Sequence, residues 1–222
     1  MTRIFLALSL ALNFLVIAWV IKNPFDQNSL FRVERIIDGD TFVLDTKQQI
    51  RLQNVNAPEA GLCGSLEAKS KLESLLSGQS VSLAGDTTDK FGRRIALVYQ
   101  GDTLINEQML LSGWGRFVNA YSVENDRLKI AAAHARDQNL GVYSPLYLQQ
   151  TNPENSDCVI KGNVREGKKT YFFPGCGNYS NVILELDQGD AWFCTESQAQ
   201  KSGFTKAVNC HDKPFIPNGT GN

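Results

Sequence analysis

Two aspartates separated by one glycine form the first chemically suggestive pattern in the sequence. Asp38, Gly39 and Asp40 stand at the start of a short apolar run. Because glycine lets the backbone fold back on itself, both carboxylates can face one hard cation. The same pattern is common in simple hairpin turns. Alone it indicates a candidate cation site and does not establish one.

A second set of charged residues follows farther along the chain. Arg51 stands within an alternating apolar run, Glu59 follows Pro58, and Arg93 follows a loop that contains Gly92. A guanidinium group matches two phosphate oxygens at once and stays charged at any ordinary pH, and a carboxylate can act as a general base. Each residue alone is equally consistent with a solvated side chain on a strand or loop. The chemistry therefore depends on whether the fold brings these residues together.

The elements that must position these residues are short strands and three helices. Alternating patterns predict strands over residues 33–36, 41–45, 50–53, 80–84 and 94–99, and helical spacing predicts helices over residues 65–76, 104–112 and 123–138. Ser65 is the predicted N-cap of the first helix, whose apolar face carries Leu66, Leu72, Leu75 and Leu76. This pattern favours an α+β fold, an OB-fold five-stranded barrel with three packed helices.

Taken together and in order, the charged segments resemble the signature of the thermonuclease family, also called staphylococcal-nuclease-like. The matching residues are Asp38-Gly39-Asp40-Thr41, Arg51, Pro58-Glu59 and Asp89-Lys90-Phe91-Gly92-Arg93, with Phe91 in place of the usual tyrosine. The resemblance covers residues 31–144. It implies an OB-fold enzyme that cleaves phosphodiester bonds with the help of Ca²⁺.

The resemblance also implies a role for each charged residue. Arg51, Glu59 and Arg93 would be the catalytic residues. The two arginines would neutralise the phosphate, and Glu59 would act as general base or orient the attacking water. Asp40 would bind Ca²⁺, and Asp38 would support this site without touching the ion.

The sequence departs from the family pattern at Asn56, where a second metal-binding aspartate is usual. The asparagine oxygen and the backbone carbonyl of Ala57 remain normal Ca²⁺ ligands, but one negative charge is lost. We therefore expect Asp40, Asn56 and Ala57 to bind Ca²⁺ weakly, in the range of ~10⁻⁴–10⁻³ M. Lys90 and Tyr121 correspond to positions that bind substrate in the family.

Residues 1–25 are far more apolar than the rest of the chain. Arg3 is followed by an apolar run over residues 4–21, long enough to span a bilayer, and then by Lys22. A secretory signal peptide has a shorter apolar stretch and a small-residue cleavage site. We predict a signal anchor that holds the rest of the chain outside the cytoplasm, in the periplasm or the extracellular space. Secretion after signal cleavage is the alternative.

The composition changes again after residue 144. Residues 145–157 are polar and predict a linker, residues 158–212 form a small Cys-rich module, here called the annex, and residues 213–222 form a tail. The annex has too few apolar residues to hold a core without cross-links. It resembles a small module appended to other exported nuclease-like proteins.

Four of the five cysteines lie in the annex, which leaves Cys63 alone as an expected free, half-buried thiol. In an oxidising compartment four cysteines can form two disulfides, with three possible connectivities. The resemblance of the annex to its simpler versions implies the pairs Cys158–Cys194 and Cys176–Cys210. A four-cysteine zinc site is the alternative, although no two cysteines have the close spacing of zinc knuckles.

The bulk composition describes a globular protein and does not by itself indicate nucleic acid. The formal net charge is −1, whereas proteins that hold nucleic acid through many phosphates usually carry a basic face. We expect a monomeric, calcium-dependent endonuclease that hydrolyses DNA or RNA outside the cytoplasm and contacts the membrane through its N-terminal helix. The alternative is a non-catalytic OB-fold module that binds nucleic acid or a protein partner at the envelope.

Overall fold

Five strands of the N-terminal half close into a barrel in the computed structural model, which describes residues 30–210 and 215. Strands β1 to β8 are Phe31–Ile36, Thr41–Leu44, Gln49–Leu52, Val55–Asn56, Ser80–Thr88, Arg94–Gln100, Thr103–Leu104 and Arg116–Phe117. β1 pairs with β2 and β5, β2 with β3, and β5 with β6, all antiparallel. The parallel pairing of β3 with β6 closes the ring. The predicted OB-fold barrel is confirmed.

The barrel interior is filled by apolar residues of the alternating runs. Phe42, Leu44, Ile50 and Leu52 are each at most 1% exposed. Full burial of one such side chain stabilises the fold by roughly 1.5–3 kcal/mol. Because side chains alternate along a strand, Arg51 lies between two buried residues and projects from the opposite face. Arg51 is therefore held by a strand that is packed into the barrel.

Three helices pack on the barrel: α1 Ser65–Leu76, α2 Ile105–Leu111 and α3 Asn125–Asp137. α1 has the predicted bounds, and it buries residues four positions apart, Ala68, Leu72 and Leu76. Two details of its prediction are wrong. Leu66 is 75% exposed, because the buried face passes through Ala68 instead. The N-cap is Gly64, in the left-handed conformation at φ 84°, and not Ser65.

The annex contains a second sheet and one short helix. Strand β9, Leu148–Gln149, precedes the annex. The annex strands β10 to β14 are Ile160–Arg165, Lys168–Phe172, Leu184–Glu185, Ala191–Phe193 and Thr205–Lys206, and helix α4 is Glu196–Lys201. Four of these strands form one sheet in the order β13-β10-β11-β14. Ile160, Tyr171 and Phe173 are buried in a small core of its own.

Two disulfides cross-link the annex, Cys158–Cys194 and Cys176–Cys210. This is the connectivity that the resemblance implies, and the zinc alternative is wrong because all four sulfurs are consumed. The pairs are 36 and 34 residues apart in sequence, and loops of this size correspond to roughly 3–4 kcal/mol of stabilisation each. Cys63 is free, as expected, but it is exposed and not half-buried.

Residues 145–157, whose composition predicts a linker, begin with ordered structure that joins the annex to the barrel. β9 pairs with β12 in antiparallel fashion. Trp192 Nε1 donates to Gln149 Oε1 at 2.7 Å, and the Leu186 N–H donates to the Tyr147 carbonyl at 2.9 Å. On the side of the nuclease domain, the Tyr147 ring packs edge-on against Trp114, with 5.8 Å between the ring centroids, so the first part of this segment contacts both units.

Two predicted segments lie outside the described residues. They are the N-terminal apolar run within residues 1–25 and nearly all of the tail at 213–222. Within residues 30–210, no helix is long and apolar enough to cross a membrane.

Candidate active site

Asp40 is the buried centre of the site, at the turn that leads into β2, and its side chain is 3% exposed. Oδ1 accepts hydrogen bonds from Thr41 Oγ1 at 2.8 Å and from Arg51 Nη1. Oδ2 accepts one from the backbone N–H of Ala57 at 2.9 Å. Asp38 Oδ1 accepts the Asp40 N–H at 3.0 Å and so fixes the turn. Each carboxylate oxygen of Asp40 thus accepts at least one hydrogen bond.

The glycine of the Asp-Gly-Asp turn is required by a close approach. A Cβ atom on Gly39 would lie 2.6 Å from the Cβ atoms of both Ala57 and Ala68. Real Cβ atoms do not approach so closely, so the turn can lie against α1 and the loop after β4 only without a side chain at this position. The glycine therefore brings Asp40 within reach of the Ala57 N–H.

Burial raises the pKa of the Asp40 carboxyl to about 6. The Arg51 guanidinium and the Ala57 N–H act in the opposite direction, while the nearby charge of Asp38 raises the pKa further. The ionised carboxylate is therefore not fully compensated by its present partners. An additional cation at this point would be favourable.

Arg51 is held by two strand pairings at the place where the barrel closes. It is the register partner of Thr41 in β2 and of Ile95 in β6. Its Nη1 contacts Asp40, and its Nη2 donates to Asn56 Oδ1 at 2.8 Å. One guanidinium thus bridges the two side chains that were predicted as metal ligands. Their oxygens therefore face the same guanidinium.

Arg93 reaches the same place from the loop between β5 and β6. Asp89 accepts hydrogen bonds from the backbone N–H groups of Phe91 and Arg93 at 2.9 and 3.0 Å, and from Arg93 Nε at 2.8 Å. These contacts fix the guanidinium, whose Nη1 donates to Thr41 Oγ1 at 3.4 Å. Thr41 therefore touches both Arg93 and Asp40. Two guanidinium groups from distant parts of the sequence converge on one carboxylate–hydroxyl pair.

Glu59 follows this cluster in sequence but does not bond to it. Pro58 is buried and Glu59 is exposed. Within residues 30–210, the Glu59 carboxylate has no hydrogen bond or ion pair. An accessible carboxylate without a protein partner can orient a water molecule and accept its proton.

Lys90 and Tyr121 also lie outside the bonded cluster. Lys90 is exposed, with its Nζ 5.0 Å from the ring centroid of Phe91. Tyr121 is 93% exposed and adjoins an open cavity of about 220 Å³ whose walls include Gln53 and Leu97. An exposed aromatic ring beside a partly apolar wall suits the stacking of a nucleobase.

Two polar residues to which the sequence analysis assigns no role position the site. Thr41 joins Asp40 to Arg93, as described above. Asn106 is fully buried in α2; its Oδ1 accepts the Val98 N–H at 2.8 Å, and its Nδ2 donates to the Gln53 and Ala96 carbonyls at 2.8 and 3.1 Å. Asparagine among apolar residues at the start of a predicted helix is the signal that could have indicated this role.

Comparisons with known proteins agree on one family. The family model described as "Staphylococcal nuclease homologue" matches residues 49–145. An uncharacterized endonuclease from Escherichia coli O157:H7 is 31% identical over 117 residues, which cover 51% of this chain and 76% of the relative. Micrococcal nuclease from Shigella flexneri is 32% identical over 125 residues, 50% of this chain and 72% of the relative.

The chain belongs to the staphylococcal nuclease homologue family. The expectation of a nuclease, a hydrolase that acts on nucleic acid, is confirmed at this level. The matched region of this nuclease homologue includes Arg51, Asn56, Glu59 and Arg93, but it begins after the Asp-Gly-Asp turn and ends before the annex.

The oxygen atoms around Asp40 are of the kind that bind calcium, although together they carry little negative charge. In the described part of this nuclease homologue, no group of three or more His, Cys, Asp or Glu side chains could hold a metal ion. Asp40 and Asn56 do present oxygen atoms to the same Arg51 guanidinium, and Asp38 accepts the Asp40 N–H. Ca²⁺ takes carboxylate, amide, backbone and water oxygens. For Ala57 the contact observed is its N–H to Asp40, so its predicted role as a carbonyl ligand stays a prediction.

Proposed function

We propose that this chain is a calcium-dependent endonuclease that hydrolyses DNA or RNA outside the cytoplasm. The observation that carries the proposal is the convergence of Arg51 and Arg93 on Asp40 and Thr41. Family membership already gives a nuclease, and this convergence indicates how a phosphodiester would be held. Calcium dependence and the location rest on the arguments that follow.

The two arginines would bind the scissile phosphate. Each guanidinium is already oriented by a carboxylate, Arg51 by Asp40 and Arg93 by Asp89, so little side-chain freedom is lost when substrate binds. Their side chains are 19% and 21% exposed, so part of each donor fork remains open to solvent. Fixed donors aimed at the phosphoryl oxygens stabilise the charge that develops in the transition state.

Asp40 and Asn56 would hold Ca²⁺, with Ala57 adding its carbonyl and Asp38 supporting the turn. When bound, the ion supplies positive charge to a phosphoryl oxygen and to the attacking water. Glu59 would accept a proton from the attacking water, whose oxygen forms a bond to phosphorus as the bond from phosphorus to the leaving oxygen breaks, and the leaving oxygen takes a proton from solvent. Arg51 and Arg93 neutralise the phosphoryl oxygens throughout this step.

Two features support a location outside the cytoplasm. The annex is cross-linked by two disulfides, which persist in oxidising compartments and are rare in the cytosol. The apolar run at residues 4–21 follows a basic start, as in export signals. We propose a membrane anchor with the nuclease domain facing outward, acting as a monomer, with release after signal cleavage as the alternative.

A digestion assay tests the proposed function. Plasmid DNA, single-stranded DNA and RNA are incubated with the protein in Ca²⁺ or in excess chelator. We expect cleavage only with Ca²⁺ and a large loss of rate in Glu59→Gln. Glu73→Gln, which removes a half-exposed carboxylate on α1 that pairs with Lys69, is the control and should keep the wild-type rate. Negligible cleavage under all conditions, with retained binding of nucleic acid, would favour the non-catalytic binding module.

A further inference from the structure

A short turn of the annex binds the nuclease domain through a buried ion pair. Asp187 lies in the single helical turn Leu186–Gln188, and its side chain is 0% exposed. Its two oxygens accept from Arg116 Nε at 2.6 Å and Nη2 at 2.8 Å. Glu185 adds a contact to Arg116 Nη1 at 3.3 Å. Bidentate pairs of this kind are strong and fix the geometry of both partners.

The arginine in this pair lies directly opposite a predicted metal ligand. β4 pairs with β8 over only two residues, and Arg116 is the register partner of Asn56. A two-residue ladder has little stability of its own, so the place of β4 depends on what fixes β8. Asp187 fixes it from the annex side. The ion pair therefore adds to the contacts that hold Asn56, which are the hydrogen bond from Arg51 Nη2 and the bond from the Val118 N–H to the Asn54 carbonyl.

The same turn of the annex also lies beside the loop that follows Glu59. A Cβ atom added to Gly189 would lie 3.7 Å from Leu62 Cδ2, so the glycine adjoins the leucine with room for about one methyl group between them. The Leu62 N–H donates to the Glu59 carbonyl at 3.0 Å. Residues 56–62, which contain both Asn56 and Glu59, thus lie beside the annex at Leu62, and Asn56 pairs with the strand that Asp187 holds.

We propose that the annex turn around Asp187 is a positioning element of the nuclease site, acting through Arg116 and Leu62 on residues 56–62. This inference rests on the proposed function. The annex then completes the active-site loop and is more than an appended module. Asp187 does not touch substrate or ion, and it acts by holding Asn56 and Glu59 in place.

A merely structural ion pair makes a different prediction from a positioning pair. If Asp187 only attached the annex to the barrel, its loss would lower the free energy of unfolding and leave the kcat and the Kd for Ca²⁺ of the folded enzyme unchanged. If it positions residues 56–62, the folded enzyme should bind Ca²⁺ more weakly and turn over more slowly. The Michaelis constant for nucleic acid should change little, because the arginines are held by other carboxylates.

The experiment compares Asp187→Asn with the wild type in the full chain. The readouts are kcat and KM on a short single-stranded DNA, the Kd for Ca²⁺ by calorimetry, and amide hydrogen exchange over residues 55–64. Loss of a residue that orients a metal ligand typically costs about 10–100-fold in metal affinity or activity, so we expect kcat to fall and Kd to rise in this range. Exchange over residues 55–64 should accelerate.

Asp190→Asn is the matched control. Asp190 is also a buried aspartate next to this turn, but its carboxylate accepts hydrogen bonds from groups within the annex: the Val164 and Glu185 N–H groups, Asn163 Nδ2 and Arg165 Nη1. It should lower stability without changing kcat, Kd or the exchange of residues 55–64. Leu62→Ala tests the approach of the annex to Leu62 independently. If Asp187→Asn does not fold, the Leu62→Ala protein should still show faster exchange over residues 55–64 and a lower kcat.

Wild-type kcat, Kd and exchange in both Asp187→Asn and Leu62→Ala would overturn the inference. If the wild-type protein showed no Ca²⁺-dependent cleavage, the proposed function would fail instead. The exchange of residues 55–64 in the Asp187→Asn protein would then still report whether the annex braces this loop.

Discussion

Replacement of Asn56 by aspartate should tighten the binding of Ca²⁺. The Asn56 amide oxygen lies 2.8 Å from Arg51 Nη2, and the other terminal nitrogen of that guanidinium contacts Asp40. The substitution therefore adds a carboxylate at a point that already faces the proposed ion site. It also restores the charge that is usual in the family at this position.

The size of the effect is set by two opposing interactions of the new charge. Two unit charges ~4 Å apart interact by about 4 kcal/mol at an effective dielectric constant of ~20. Because Arg51 is within hydrogen-bonding distance of residue 56, part of this energy is already gained without the ion. We therefore expect only a fraction of it on binding, a decrease in Kd of ~10–100-fold, or about 1.4–2.8 kcal/mol.

Calorimetric titration with Ca²⁺ at constant ionic strength measures this change directly. Asn181→Asp, which adds the same charge at an exposed position in the annex, controls for net charge and should keep the wild-type Kd. The maximal cleavage rate of Asn56→Asp should fall, because the new carboxylate holds Arg51 more firmly. An equal Kd in Asn56→Asp and the wild type would refute the assignment of residue 56 as a calcium ligand.

Three further predictions concern stability. Asn106→Ala leaves the Val98 N–H and the Gln53 carbonyl without this side-chain partner, at ~1–3 kcal/mol each, so urea unfolding should show a loss of roughly 2–6 kcal/mol. A loss near zero would contradict the positioning role of Asn106. Desolvation would raise the pKa of Glu196, but the hydrogen bond from Tyr171 and other contacts lower this pKa below its ordinary value. The ionised Glu196 carboxylate therefore stabilises the fold above its ordinary pKa, and this stabilisation is lost as the pH falls. Glu196→Gln should therefore destabilise at neutral pH and much less in acid, and pH-independent destabilisation would refute this. The double variant Cys176→Ser and Cys210→Ser should lose about 3–4 kcal/mol in urea, and unchanged stability would contradict the cross-link argument.

Much of the barrel follows from local pattern. The alternating runs predict the core of each barrel strand, and the spacing of the apolar residues gives the bounds of α1, because both periods are local properties of the chain. The order of the charged motifs along the sequence predicts three residues of the site, Asp40, Arg51 and Arg93. The structure brings these three together.

The parts that local pattern does not predict depend on distant contacts. β4 and β8 are two residues long and leave no periodic signal, yet their pairing sets Asn56 opposite Arg116. Arg116 meets Asp187, which is 71 residues away in sequence. The requirement for glycine at residue 39 also arises from packing against Ala57, not from a turn conformation. Such contacts appear only once the chain is folded.

The central claim is that Arg51 and Arg93 act together on one phosphate beside Asp40. The most direct test is the single-turnover cleavage rate of Arg51→Lys, Arg93→Lys and the double variant at saturating Ca²⁺. Lysine keeps the charge but not the planar fork, so we expect each single variant to lose ~10²-fold or more, and the double variant to lose less than the product of the two. A wild-type rate in either single variant would contradict the account.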